Sequence, residues 1–385
     1  MKNKFWVLAI FVFLLLPAVA LAQDITEAKK EEIFKARVIE ILEQKSTVRD
    51  DGSTSIQQKI KLRGLESNWK DKEIIYDGTE IDILSSAEYE VGDKILVNFS
   101  PGPDQEENYY IVGFYRSNAI FWLIFIFAFI VIAIGRLKGF RALVVLILTF
   151  LIILKFIIPG ILSGNDPLFT SIIGSFFILI IAVYLTEGFK RTSTIAIISI
   201  SISLLFTGLI SIWFSNLTKL TGFANEETAY ILELAGGKIN IKGLLLAGII
   251  IGALGVLDDV IISQVVLVKE LLISNPDKTK IQIYRQAMRV GISHLSSMVN
   301  TLFLAYAGAS LPLLILFSIK QPPFMSFNQV INNEMISTEI VRSFAGSIGL
   351  VLAVPIATIM AVYFEKKELS TAAPITRLKN VPRKL

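Results

Sequence analysis

The sequence predicts an all-α polytopic membrane bundle of about seven transmembrane helices, with a small N-terminal extracytoplasmic β-rich domain of OB-like barrel character. Three observations predict it. Of 385 residues, 53% are hydrophobic and 18% charged, which leaves too little polar surface for a soluble fold, so apolar side chains must face lipid. Beyond Ser117 the apolar residues gather into long runs, and a hydrocarbon core of about 30 Å needs roughly 20 of them per helix. Lys and Arg concentrate in every second loop.

The chain opens with Lys2 and Lys4, an apolar run from Phe5 to Leu16, Pro17 and the small-residue pattern Ala20-Leu21-Ala22. Residues 1–22 therefore read as a signal peptide cleaved after Ala22; an uncleaved anchor would export the same downstream segment. Residues 23–116 are polar and hold five candidate strands: Phe34 to Ile41, Ser55 to Leu62, Glu73 to Ile75, Ile95 to Phe99 and Tyr109 to Tyr115. Turn signals separate them at Asp50-Asp51-Gly52, Asp77-Gly78, Gly92-Asp93 and Pro101-Gly102-Pro103-Asp104.

A transmembrane helical domain over 117–365 follows, with spans expected at Ile120 to Gly135, Ala142 to Ile158, Leu168 to Leu185, Thr194 to Phe214, Gly243 to Ile262, Leu295 to Phe317 and Ile340 to Phe364. Arg136, Lys138 and Arg141 form one basic group, Lys190 and Arg191 the next, then Lys269 through Arg289, and finally the basic tail, 366–385. All fall on one side, which makes that side and the carboxyl terminus cytoplasmic. Asn275-Pro276-Asp277 signals a helix start, and Ile281, Tyr284 and Met288 give an amphipathic face leading into the sixth span. Breaks are expected at Pro159-Gly160, Pro312 and Pro355.

Several function classes are excluded. The net charge of +4 is modest and not gathered into an aromatic-interleaved patch, which argues against nucleic acid. Without cysteine, and with His294 as the single histidine, thiolate sites, iron-sulfur clusters and multi-histidine metal sites cannot form. No cofactor is implied. An aspartyl protease needs carboxylates converging from different helices, and no His-Glu-x-x-His or serine triad is present, so the chain does not read as an enzyme.

Carboxylates inside a membrane are costly, which makes Asp258 and Asp259 on the fifth span the strongest functional signal. Gly248, Gly252, Gly255, Asp259 and Ser263 share one helical face, narrow enough for a neighbouring helix to approach closely. Asp258 lies about 100° around from Asp259. The sixth span carries a matching stripe of Ser293, Ser297 and Asn300, flanked by His294 and Thr301, and the seventh offers Gly346, Gly349, Ala353 and Ala357. These three helices are expected to enclose an ion or substrate pocket of Asp258, Asp259, Ser263, Ser297, Asn300 and Thr301. Alternatively Asp259 is a buried pin that fixes helix register. Glu339 and Arg342 are expected to form a capping ion pair at the outer end of the seventh span.

The stretch Gly243-Leu244-Leu245-Leu246-Ala247-Gly248, then Ile251 to Gly255 with Asp259, and Asn300-Thr301-Leu302 through Leu304 to Gly308 resemble the YibE/F family of bacterial membrane proteins. Glu339 to Arg342, Gly346 to Leu350, Pro355, and Thr221-Gly222 with Glu226-Glu227 fit the same likeness, from about Tyr89 onward. The resemblance implies the architecture and a bacterial cell membrane location rather than an activity. It also implies an Arg-Asp pair before His294, where this chain has Ile292 and Ser293. A weaker likeness is to the membrane regions of SecD/SecF, where a glycine-rich helix likewise presents an Asp; this implies ion coupling by analogy of fold.

Two functions compete. One is a secondary transporter, or ion-coupled membrane component, in which Asp259 exchanges a proton or cation while an unknown substrate crosses the lipid bilayer. The other is an accessory or scaffold protein whose exported domain binds a membrane or envelope partner.

Overall fold

The computed structural model describes residues 32–48, 54–79, 88–101, 107–224, 226–322 and 324–365. The signal-peptide and basic-tail segments lie outside the described residues, as do the Asp50-Asp51-Gly52 turn and residues 102–104 of the Pro101-Gly102-Pro103-Asp104 turn. The chain divides into two compact units between Ile130 and Val131, so the helix beginning at Ser117 starts within the first unit rather than marking the boundary.

Five antiparallel strands form one sheet in the order β3-β2-β1-β4-β5: β1 Glu32–Val48, β2 Thr54–Gly64, β3 Glu73–Asp77, β4 Lys94–Pro101 and β5 Glu107–Phe114. Alternation writes the two faces. In β3, Ile74 and Tyr76 point inward while Glu73, Ile75 and Asp77 point out. β1 is long enough to pair with β4 through Glu32–Arg37 and with β2 from Ala36 to Val48. Register shifts between Val38 and Glu40 and between Ile41 and Glu43 bend it, which curls the sheet over its apolar face. That face closes on Trp69, carried by a 3-10 turn at Ser67–Trp69. The indole stacks on Phe34 with ring centroids 4.5 Å apart, and its Nε1 donates to Glu32 Oε2 at 3.0 Å. β3 and β5 do not pair among the described residues, so the sheet is a half-barrel rather than a closed one.

The helices are α1 Ser117–Ile152, a π turn at Ile153–Ile157, α2 Ile158–Leu162, α3 Pro167–Glu187, α4 Arg191–Leu217, α5 Glu226–Leu234, α6 Ile241–Ser274, α7 Lys280–Ala309, α8 Leu311–Ile319, α9 Phe327–Ile331 and α10 Glu334–Phe364. Among the described residues five are long and apolar enough to cross a membrane: α1 with its continuation to Leu162, α3, α4, α6 and α10. α7 and α8 make a sixth if their 67° bend lies within one span. The sequence divides the first of these in two, and Arg136 marks the place: φ 49° and ψ −129° break the helix there. Gly139 lies against the Val131 carbonyl, which a straight helix would put about 12 Å away along its axis, so the chain turns back on itself at this break.

α4, α6 and α10 form the centre of the bundle. Along α4, Ser199, Ser203, Thr207 and Ser211 recur every fourth residue, fully buried. Each hydroxyl donates to the carbonyl one turn back, at 2.8, 2.9, 2.9 and 2.7 Å. Hydroxyls satisfied within their own helix present a small, dry face, and α10 packs onto it antiparallel. Gly349 of α10 sits directly on Thr207, where any side chain would collide. The pair is tied at one end by Arg191 Nε donating to the Phe364 carbonyl at 2.7 Å and Thr192 Oγ1 to Glu365 at 3.0 Å. At the other, the Glu334 carboxylate accepts from Thr221 N, Thr221 Oγ1 and Gly222 N at 2.7, 2.6 and 2.9 Å. Gly222 holds φ 94°, and a Cβ there would meet the Ile241 carbonyl, so this turn requires glycine. α3 lies beside α6 with its N-cap Asp166 next to the N-cap Asn240, at 3.4 Å.

α7 starts later than expected, although Tyr284 and Met288 of its expected face do pack against the core. Its N-cap is Thr279, whose backbone N–H donates to Gln282 Oε1 at 2.9 Å, and the helix runs unbroken from Lys280 to Ala309. The buried face is Ile283, Ala287 and Gly291, whereas Ile281 is exposed.

On the outer face of the sheet, Lys59 meets Asp77 at 2.6 Å, and Lys61 and Arg63 meet Glu73 at 2.6 and 3.0 Å. The Lys59 ammonium, then the Thr79 hydroxyl and N–H, hold the Asp77 carboxyl down at about 2, below its ordinary 3.8. Lys61 and then Arg63 lower Glu73 in the same sense. A carboxyl more acidic in the folded state stabilises above its unfolded value and loses that contribution as pH falls through its folded one. Hydrogen exchange of the full chain should therefore show β2–β3 amide protection falling between about pH 4 and pH 2, and Asp77→Asn should remove much of that pH dependence.

Candidate functional site

Consecutive in sequence, α6 and α7 nevertheless touch each other far less than each touches α10. Between them runs an open cleft. On its α6 wall Gly248, Gly252, Gly255, Asp259 and Ser263 are all exposed, with open space beside Gly248 and Gly255. On its α7 wall Ser293, His294, Ser297, Asn300 and Thr301 are exposed in turn. The walls meet where a Cβ on Gly252 would lie 3.4 Å from the Tyr306 hydroxyl, and Asp259 lies within electrostatic reach of His294. Beneath the cleft an apolar cluster joins Val256 and Val260 of α6, Met288, Leu295, Met298 and Val299 of α7, and Leu350 and Val354 of α10.

The expected three-helix enclosure around Asp259 is thus an open cleft in the structure. Its physical cause lies on α10, whose small face is occupied by α4 through Gly349 and Thr207, while Gly346 reaches only Leu302 of α7, at 3.9 Å from its added Cβ. Among the described residues Asn300 forms no hydrogen bond with Asp259, and the Thr301 hydroxyl returns to the Ser297 carbonyl at 3.0 Å. Asp258 sits around the helix, half-buried, with a buried Oδ1 that has no hydrogen-bond partner among the described residues and with Asp259 within electrostatic reach. No three acidic or imidazole groups gather as a metal site would need among the described residues.

A register pin exists, but it is Gln264 rather than Asp259. Its buried Nε2 donates to the Ala287 carbonyl at 3.1 Å and to Thr358 Oγ1 at 2.8 Å, and Thr358 passes its own proton to the Val354 carbonyl at 2.6 Å. One side chain of α6 thereby fixes α7 and α10. Gly291 provides the room, since a Cβ there would press on both Gln264 and Val354. The sequence signal was a lone glutamine in an apolar run, flanked by the more conspicuous aspartates.

Glu339 and Arg342 do pair, at 2.9 Å. They do not cap the helix, which starts at Glu334 with Asn333 as its N-cap. Tyr306 lies within electrostatic reach of both, so one phenol links the cleft to this ion pair.

A family model described as YibE/F-like protein matches residues 123–367, well over half of the chain. The chain belongs to the YibE/F family. The YibE/F match includes α6, α7 and α10 whole, with Asp259, His294, Tyr306, Glu339 and Arg342, and begins after the sheet rather than near Tyr89. No curated protein and no solved structure matches this YibE/F member.

The glycines divide by this geometry. Gly248→Leu and Gly255→Leu should leave the unfolding temperature in detergent nearly unchanged, whereas Gly349→Leu, forced against Thr207, should cost at least the roughly 1–3 kcal/mol of an overpacked core. Gln264→Ala should destabilise by about 1–3 kcal/mol, because it strands buried polar groups on two other helices. Thermal unfolding followed by size-exclusion chromatography reads all four variants.

Proposed function

We propose that this YibE/F protein is an ion-coupled transport component of the bacterial cell membrane, in which Asp259 takes up and releases a proton in the α6–α7 cleft. The observation that carries the reading is the approach of Asp259 to His294, two proton-exchanging groups on facing helices, on a helix apolar enough to span a membrane. Asp259 lies about 25 Å along α6 from Lys242 and about 15 Å from Lys269, well inside the span that those lysines bracket. The turn at Arg136 and the α7–α8 bend support seven crossings, with the basic loops cytoplasmic and the sheet, OB-like in its strand order, outside.

The mechanism follows from the open wall. The stretch of α7 between its pin at Ala287 and the bend at Ser310 closes on α6, and the glycine face admits it because Gly248 and Gly255 offer no side chain. Closure brings Ser297 and Asn300 toward Asp259 and exchanges water for their polar groups. Protonation of Asp259 lowers the cost of closing, which couples proton to motion.

The accessory reading keeps one observation in its favour: Ile33 and Tyr110, in line across Asn98, are exposed on the outer face of the sheet beside Val112. Purified protein in liposomes containing a pH-sensitive dye separates the two. Under an imposed gradient the wild type should pass protons, Asp259→Asn should abolish the flux while remaining folded, and removal of residues 32–114 should leave it largely intact. The reverse ranking, with Asp259→Asn fully active and the deletion inactive, would sink the transport reading.

A further inference from the structure

A separate cavity of about 480 Å³ opens where α7 bends into α8 and where α9 and the start of α10 come against them. Its volume falls in the roughly 300–1,000 Å³ of small-ligand sites. Its wall is almost wholly apolar, with Phe303, Leu314, Phe317, Phe327, Ile340 and Phe344 prominent, and these belong to helices that span or adjoin a span. Two charged residues line it, Glu339 and Lys320. Glu339 is neutralised by Arg342 at 2.9 Å, while Lys320 forms no ion pair among the described residues. The backbone of Lys320 closes α8 in the left-handed conformation, φ 54° and ψ 39°.

An apolar cavity whose lining includes one cation unpaired among the described residues matches an acyl chain that ends in an anionic head. We propose that this cavity holds one acyl chain of an anionic membrane phospholipid, with the phosphate at Lys320. The apolar wall takes the chain, and the lysine selects against zwitterionic lipids. Glu339 stays silent because Arg342 occupies its carboxylate. Occupancy does not require Asp259 to exchange protons, so this site stands or falls apart from the transport reading.

The full chain is purified in detergent, exchanged into nanodiscs of equal phosphatidylglycerol and phosphatidylcholine, re-extracted, and its retained lipid measured by mass spectrometry. Phosphatidylglycerol should be retained preferentially, and Lys320→Gln should lower that preference about five-fold, the worth of one lysine near an anionic lipid surface. Ala307→Trp, which fills the cavity from α7, should release both lipids; Lys320→Gln, at an exposed position, decides the question even if the tryptophan variant does not fold. Equal retention of the two lipids by the wild type, an unchanged preference in Lys320→Gln, or recovery of a free fatty acid in place of the phospholipid would each overturn the proposal.

Discussion

Everything in the bundle depends on the contact between the hydroxyl stripe of α4 and the small face of α10. Lipid provides no partner for a polar group, so a stripe of serine and threonine is tolerated only because each hydroxyl returns to its own backbone. That solution leaves a flat, narrow surface on which Gly349 lands with its backbone against Thr207. Once α10 is committed to α4 in this way, its remaining flanks must serve both α6 and α7. They do so through Gln264, Thr358 and the apolar cluster around Leu350. The space left between α6 and α7 is the direct result.

The aspartates are therefore in a different situation from the one their position on a greasy helix suggests. Asp259 is not shut away by three helices; it stands on one wall of a cleft whose opposite wall carries His294 and a run of uncharged polar side chains. Tyr306 touches this cleft at Gly252 and reaches the Glu339–Arg342 pair on the other side of α7, so the cleft and the apolar cavity share a side chain without sharing a wall.

Much of the fold was legible because its signals are local. All five strands lie where alternation and turn residues put them, and the Pro312 break sits one residue into α8, whereas α10 runs through Pro355 without the expected break. What escaped was set by partners far away in the chain. Glycines on a shared face announce close approach, yet which of them meets a helix is decided by the partner, and here Gly349 has one while Gly248 and Gly255 do not. The register of α7 was misplaced because Asn275-Pro276-Asp277 looks like a start, although the capping exchange between Thr279 and Gln282 begins the helix two residues later. The α4 stripe was visible as serine or threonine at every fourth position, but its polarity reads as mere surface until the internal hydrogen bonds are known.

The α4–α10 pair is clasped at both extremities, by Arg191 and Thr192 at one and by the Thr221–Gly222 turn around Glu334 at the other. A strut pinned at top and bottom neither slides nor tilts easily, so it serves as the stationary post of the molecule. The displacement proposed above then falls to α7 beyond its Gln264 pin and to α8, on either side of the 67° bend. The Glu334 clasp matters for a further reason: its grip is charge-assisted and sits at an exposed turn, so dissolved salt reaches it before anything deeper in the bundle.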